Sequence, residues 1–509
     1  MTTITDTRMR RPDWSAAGPA GARRRWIRFL LVATVPLALF YFAWLLQPQH
    51  IGQPVLYALL LAAEMFNAAQ ALGFWWTCAR ERPWRRTLWD APPPAVDVFV
   101  PVYDEPVSVV EPTVRAAARM SGADVRVHVL DDGDSDEMAA MAARLDAGYL
   151  RRDDHDGAKA GNINHALAHT DAPFVVVLDC DHVPEREFLE ATLGCFTDRR
   201  VAFAQAPQYY ANWDRGEIPA AAWGQQALFF GPIARGKDGH DAMFCCGTNV
   251  VFRRHALRDV GGFPTESVTE DFELSIHLHE RGWKSRYVPE VLAHGLGPED
   301  MASYVSQQQR WSRGCLAAIP AVLRSTLPLR QKVQYLLSAS YFLSGWTVLI
   351  YMSFPVIRLI GGGQPIAGIT APEFLLHFAP YFAVALTTVA LAGAGSYTFA
   401  AFALAAANFW IHILSTIYTV LRKEGSFVVT PKVGAGARQP AAVMPALVVV
   451  GILVLASIYG LVRERDAATI NNVCFAAVHV SILLTGCWPA LAKPRIENPE
   501  SPELVGVTA

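Results

Sequence analysis

Apolar positions in this chain fall into two patterns. In the first they run together for the length of a bilayer crossing: Phe29 to Leu46, Val55 to Cys78, Tyr335 to Ile360, Phe374 to Ala394, Tyr397 to Leu421, Val443 to Val462 and Val473 to Leu491. A spanning helix needs about 20 mostly apolar residues, so these runs are candidates to cross a membrane. In the second, from Ala79 to about Gln334, short β-branched runs alternate with helix-like stretches of ordinary globular composition. Val96 to Val102 leads into Tyr103-Asp104-Glu105-Pro106, Val125 to Leu130 into Asp131-Asp132-Gly133, and Phe174 to Leu178 into Asp179-Cys180-Asp181. Strands alternating with helices predict an α/β domain whose mostly parallel sheet is covered on both faces. Ligands of such sheets bind beyond the carboxyl ends of the strands. One Asp after a strand reads as a turn or cap residue. Acidic residues at three successive strand ends point instead to a binding site.

Composition supports the division. The chain is 52% hydrophobic and only 18% charged, against about a quarter charged for soluble domains. The net charge of -2 gives no reason to expect a nucleic-acid partner. The cysteines form no Cys-x-x-Cys pair, so they are read as reduced thiols. The first run is itself span-length, and Gln47-Pro48-Gln49-His50 has no small-residue cleavage site, so it reads as an anchor and not a signal peptide. Arg8, Arg10, Arg11, Arg23, Arg24, Arg25 and Arg28 precede it, and Arg80, Arg82, Arg85 and Arg86 follow the second run, while Gln47 to Pro54 has neither Lys nor Arg. The positive-inside rule then puts the leader and the α/β domain in the cytosol.

The segment Tyr397 to Leu421 carries Asn408, His412, Ser415, Thr416 and Thr419 at helical spacing, a polar stripe expected of a helix lying in the interface plane. It is therefore predicted not to span. The layout becomes a disordered basic cytosolic leader (1–28), two spans (29–78), the cytosolic domain (79–300), amphipathic interface helices (301–334), two spans (335–394), an interface helix with a loop (395–442), two spans (443–491) and a cytosolic tail (492–509). Within the second run, Glu64, Asn67 and Gln70 recur every three residues, either lining a polar path or bonding neighbouring helices.

The candidate chemistry is that of a nucleotide sugar. Two carboxylates one residue apart on an extended segment, Asp179 and Asp181, can share a hard cation, Mg²⁺ or Mn²⁺, that bridges a diphosphate. Lys159, in Lys159-Ala160-Gly161-Asn162, can reach phosphates as a point charge. Thr269-Glu270-Asp271 offers Asp271, beside Glu270, as a general base; alone it also reads as a capped helix start. Gln307-Gln308-Gln309-Arg310-Trp311 offers a guanidinium for a leaving diphosphate and an indole face for a sugar ring; alone it also reads as part of an amphipathic surface helix.

Taken in order, these motifs resemble the family-2 processive glycosyltransferases, specifically the catalytic subunit of bacterial cellulose synthase. Further matches are Phe244-Cys245-Cys246-Gly247, His182 after Asp179-x-Asp181, and Phe427-Val428-Val429-Thr430-Pro431-Lys432, which is similar to the FxVTxK gating loop of cellulose synthases. The resemblance covers about residues 55 to 490. It implies a GT-A-type, Rossmann-like domain inserted between transmembrane helices, using UDP-glucose and a growing β-1,4-glucan chain at the inner membrane of a bacterium. It implies catalytic Asp271 and Glu270, metal ligands Asp179 and Asp181, and a UDP-sugar site of Tyr103, Asp131, Asp132, Lys159, Asp179, Gln307 and Arg310. It also implies acceptor contacts at Trp311 and Cys246, and a gating loop acting through Phe427, Val429, Thr430 and Lys432. Asp104 departs from the family's usual Asn. The short tail leaves no room for the family's cyclic di-GMP-binding PilZ domain, so control by that nucleotide would need another subunit. Two N-terminal runs stand where many bacterial relatives have four, leaving open whether a periplasmic accessory subunit docks. A β-1,3-, mixed-linkage or mannan-type polymer, or a lipid acceptor, stays open as an alternative product.

Overall fold

The computed structural model describes residues 20–393, 396–422 and 438–492. The predicted strands form β1 (Ala95–Val102), β2 (Asp124–Asp131) and β4 (Phe174–Val177), with β3 (Gly148–Arg151) between the second and the last. After β5 (Val183–Pro184) come β6 (Val201–Gln205), β7 (Tyr209–Tyr210), β8 (Val250–Arg253), β9 (Lys284–Tyr287) and β10 (Ala293–Gly295). Seven strands build one sheet in the order β3-β2-β1-β4-β8-β6-β9. It is parallel except for β8, which runs against both β4 and β6.

Both faces of the sheet are covered, which explains why its strands read as unbroken apolar runs. On β1, Val96, Val98 and Val100 enter one buried cluster, while Phe99 enters the other with Val175 and Val177 of β4. Each such fully buried side chain contributes roughly 1.5–3 kcal/mol. Register fixes where the polar ends emerge. Val102 pairs with Asp131, and Phe99 with Val177, so Tyr103, Asp132 and Asp179 leave the sheet along one edge.

Among the described residues, six helices are long and apolar enough to cross a membrane: Arg25–Leu45, Pro54–Ala79, Leu329–Gly361, Pro372–Gly393, Pro440–Arg463 and Ala467–Leu491. The third begins earlier than Tyr335, because Leu329–Ser340 runs through a short 3₁₀ turn into Ser344–Gly361. The loops expected outside gather at one end of the bundle. Gly52 donates to the Pro365 carbonyl at 3.1 Å, and Arg463 donates to that of Ile360 at 3.0 Å. The other end is bolted to the α/β domain by a buried ion pair, Arg235 to Glu81 at 2.5 Å. Lys237, itself buried, donates to the Gln334 carbonyl at 2.6 Å.

Two expectations about polar positions in apolar segments are resolved. Glu64, Asn67 and Gln70 bond neighbouring helices: Tyr351 donates to Glu64 at 3.0 Å, Asn67 donates to Tyr351 at 3.1 Å, and Gln70 donates to Ser340 at 2.8 Å. The Tyr397 to Leu421 segment is two helices, Phe399–Ala407 and Phe409–Val420, bent by 42° at Asn408. Its stripe does not face an interface as expected, since Asn408, His412 and Ser415 are buried within the protein. Ser415 meets Ser312 at 2.5 Å and His412 lies 3.5 Å from Ser344, while Asn408 donates to the Leu404 carbonyl one turn back. A stripe's periodicity reveals a polar face but not what the face meets.

Candidate active site

At the ends of β1 and β2 the acidic pair is already engaged by protein. Asp131 accepts from the Gly133 and Ser135 amides at 2.7 and 2.9 Å and from the Tyr149 hydroxyl at 2.8 Å. Asp132 takes both arms of Arg152, each at 2.7 Å. Arg152 also donates to the carbonyls of Asp156 and Ala158, so this fork sets the loop that leads into the helix carrying Lys159. The carboxylates of Asp131 and Asp132 therefore shape the cleft wall, while Tyr103 stands exposed beside them. Arg152 was not singled out from the sequence; an Arg-Arg pair at the head of an Asp-rich loop carries no periodic or motif signal.

Beyond β4, Asp179, Asp181 and His182 bring one donor atom each within 4.8 Å of one another. His182 places Nδ1 3.3 Å from Asp181 Oδ1, and its buried Nε2 has no hydrogen-bond partner among the described residues. Two hard carboxylates and an imidazole fit a divalent cation such as Mg²⁺ or Mn²⁺. Lys159 reaches this group: its Nζ lies 2.5 Å from Asp179 Oδ1 and donates to the Gly247 carbonyl at 2.8 Å. Burial would depress its pKa, but Asp179, Glu270 and Asp271 together raise it. The Asp179 amide donates to Thr248 Oγ1 at 2.7 Å, which ties the strand end to the loop after Cys246.

That loop also meets the candidate base. Thr269 precedes the helix Glu270–Glu280, so Asp271 sits in its first turn, with the Phe272 amide 2.8 Å from Oδ1. Gly247 has φ +79°, and a Cβ there would lie 3.0 Å from Asp271 Oδ2 and 3.8 Å from Lys159 Nζ. A glycine is required both for the left-handed backbone and for this approach. Burial, then repulsion from Glu270, pushes the pKa of Asp271 up to about 7, against the pull of the Phe272 amide, Lys159 and Arg310. A carboxylate so placed is poised to accept a proton near neutral pH.

Gln307, Arg310 and Trp311 lie on the helix Met301–Arg324. This helix docks on the base motif through Gly314, where a Cβ would fall 2.2 Å from Thr269 Cγ2. Gln307 donates to the Tyr210 hydroxyl at 3.4 Å, and Arg310 is close enough to act on the charge of Asp271. Cys246 is held between Gln205, which accepts from its amide at 2.9 Å, and Gln208, which donates to its carbonyl at 2.8 Å. Burial raises its thiol pKa, so it stays protonated. Phe427, Val429, Thr430 and Lys432 lie outside the described residues. On either side of them, Ser415 bonds Ser312 and Gln439 accepts from the Ala302 amide at 2.8 Å, both on the helix that carries Arg310.

Known proteins resemble this chain in sequence and in fold. The family model described as glycosyl transferase family group 2 matches residues 174–414. Cellulose synthase 1 of Komagataeibacter xylinus is 34% identical over 75% of this chain and 26% of its own length. The UDP-forming cellulose synthase catalytic subunit of Komagataeibacter sucrofermentans is 31% identical over 85% of this chain and 61% of its own. That of Xanthomonas axonopodis pv. citri is 35% identical over 60% of this chain and 44% of its own. The chain thus spans less than two thirds of each of these relatives. A mannosyltransferase from Pyrobaculum calidifontis, solved with GDP-Man and Mn²⁺, superposes with a TM-score of 0.53 at 18% identity, covering 72% of this chain and 100% of that one. At that identity the likeness establishes the fold, which is of GT-A type.

Proposed function

We propose, from the match of residues 174–414 to the glycosyl transferase family group 2 model, that this chain transfers glucose from UDP-glucose, with inversion, to the end of a growing β-1,4-glucan that leaves through its own membrane helices. The observation that carries the reading is the convergence of the Asp179–Asp181–His182 cluster, Lys159 and Asp271 around the Gly247 backbone. Asp179, Asp181 and His182 would hold a divalent cation, which would supply neutralisation of the diphosphate charge. Lys159 and Arg310 hold the same diphosphate as protein-borne positive charge. Asp271 takes the proton of the acceptor hydroxyl, and the resulting oxygen attacks the anomeric carbon from the face opposite the leaving UDP. Trp311 and Cys246 border the acceptor end, and Tyr103 closes the nucleotide side.

A polar glucan cannot cross hydrocarbon unaided, since each unpaired hydroxyl costs several kcal/mol. The route through the bundle is proposed on this ground alone, since Glu64, Asn67 and Gln70 are taken up by hydrogen bonds to Tyr351 and Ser340 of neighbouring helices. The segment containing Phe427 to Lys432 is assigned to the same side of the membrane as the α/β domain and to closure over the bound donor. The anchoring of Ser415 and Gln439 on the helix Met301–Arg324 supports the side, and similarity to the FxVTxK loop supports the role. We assign the protein to a bacterial inner membrane, with its catalytic domain in the cytosol. Purified protein incubated with UDP-[¹⁴C]glucose and Mg²⁺ should give an insoluble product degraded by a β-1,4-glucanase. Sensitivity to a β-1,3-glucanase or lichenase would replace the linkage, and label found only on lipid would replace the acceptor.

A further inference from the structure

The edge of the sheet opposite the candidate active site carries a second cleft, of about 550 Å³, whose lining includes Arg199, Arg253, Arg254, His255, Arg258 and Trp283. It lies where β8 ends and where β6 and β9 begin, whereas Thr248 and Gln205, which serve the Asp179 side, lie at the other ends of β8 and β6. The two sites are therefore separate.

Of the four arginines lining this cleft, Arg254 alone is spent on an ion pair among the described residues. Arg254 is buried and paired with Asp97 at 2.7 Å. Arg253 is fixed by donating to the carbonyls of Phe196 and Val201 at 2.8 and 3.0 Å, and stacks over Phe174 and Phe196. Arg199 and Arg258 are exposed and have no ion-pair partner among the described residues. The lining carboxylate, Asp171, is turned to Arg126 at 3.1 Å, and nearby Asp259 accepts from the Trp283 indole at 2.9 Å. His255 packs edge-on against Trp283 with ring centroids 5.7 Å apart, which adds aromatic surface to the cationic rim. Uncompensated guanidinium groups beside aromatic rings in a concave site match a ligand with clustered phosphate charge and a planar base.

We propose that this cleft binds a nucleoside polyphosphate, with Arg199 and Arg258 on the phosphates and the base against Trp283 and His255. The test uses the full chain in detergent with excess UDP to fill the donor cleft, photolabelled with 8-azido-ATP and mapped by peptide mass spectrometry. Label is expected on peptides containing His255 or Trp283, competed by ATP and by tripolyphosphate but not by adenosine. Arg199→Glu with Arg258→Glu should weaken labelling by roughly tenfold per arginine lost, with the melting temperature unchanged. Label confined to peptides of the donor cleft would overturn the proposal, and so would competition by adenosine as strong as by ATP. Labelling undiminished in the double variant, with tripolyphosphate failing to compete, would do the same.

Discussion

The ammonium of Lys159 lies 2.5 Å from Asp179 Oδ1, inside the cluster that would hold the cation. The same lysine therefore balances the Asp179 carboxylate and stands within reach of the proposed diphosphate site. Lys159→Met should lower kcat/KM for UDP-glucose by about 10–100-fold, the value of one or two charge-assisted contacts. It should also lower the Mg²⁺ concentration for half-maximal binding, because a competing cation is gone. A titration of UDP release against Mg²⁺ checks both signs.

Asp271 owes its raised pKa first to burial and then to Glu270. A base must be deprotonated to act, so transfer should rise as pH increases through about 7 and fall on the acid side. Glu270→Gln removes a negative neighbour, so it should move that acid limb to lower pH. The pH profile of kcat/KM in both proteins is the measurement.

Gly247 combines φ +79° with its approach to Asp271. Gly247→Ala should cost about 1–2 kcal/mol of stability through the left-handed backbone. It should cost more in catalysis, at least about tenfold in kcat, since displacing a reacting group by about 1 Å can cost 100-fold. Comparing the melting shift with the loss of turnover separates the two effects.

The domain is joined to the membrane helices by the buried Arg235–Glu81 pair. Arg235→Ala would strand Glu81 and should destabilise the protein by about 3–5 kcal/mol. A matched Arg235→Met with Glu81→Leu should recover much of that loss. Thermal unfolding in detergent checks the difference.

The parts of this architecture legible in the sequence are those with a repeating or local signature. Strand runs ending in Asp131, Asp179 and Asp181 placed the sheet and the edge that carries the candidate site, and long apolar runs placed the helices. What escaped depends on contacts between distant segments. The Arg152 fork on Asp132, the docking of Gly314 on Thr269 and the passage of Gly247 past Asp271 bring together residues 20, 45 and 24 positions apart, and neither Arg152 nor Gly314 belongs to a motif. His182 belonged to a recognised motif, but that its ring joins both the Asp179 and Asp181 carboxylates emerges only when β4 and its loop are folded. The polar stripe from Asn408 to Ser415 misled because burial against protein and exposure to water leave the same periodicity.

The most direct test of the central claim is UDP release from UDP-glucose, with Mg²⁺ present or chelated, by the purified wild type and by Asp271→Asn. The account predicts cation-dependent release by the wild type, abolished by chelation. It predicts a loss of about 100- to 10,000-fold in the variant, the scale of a missing general base, with UDP binding retained. Release that survives chelation, or a variant turning over near the wild-type rate, would contradict it.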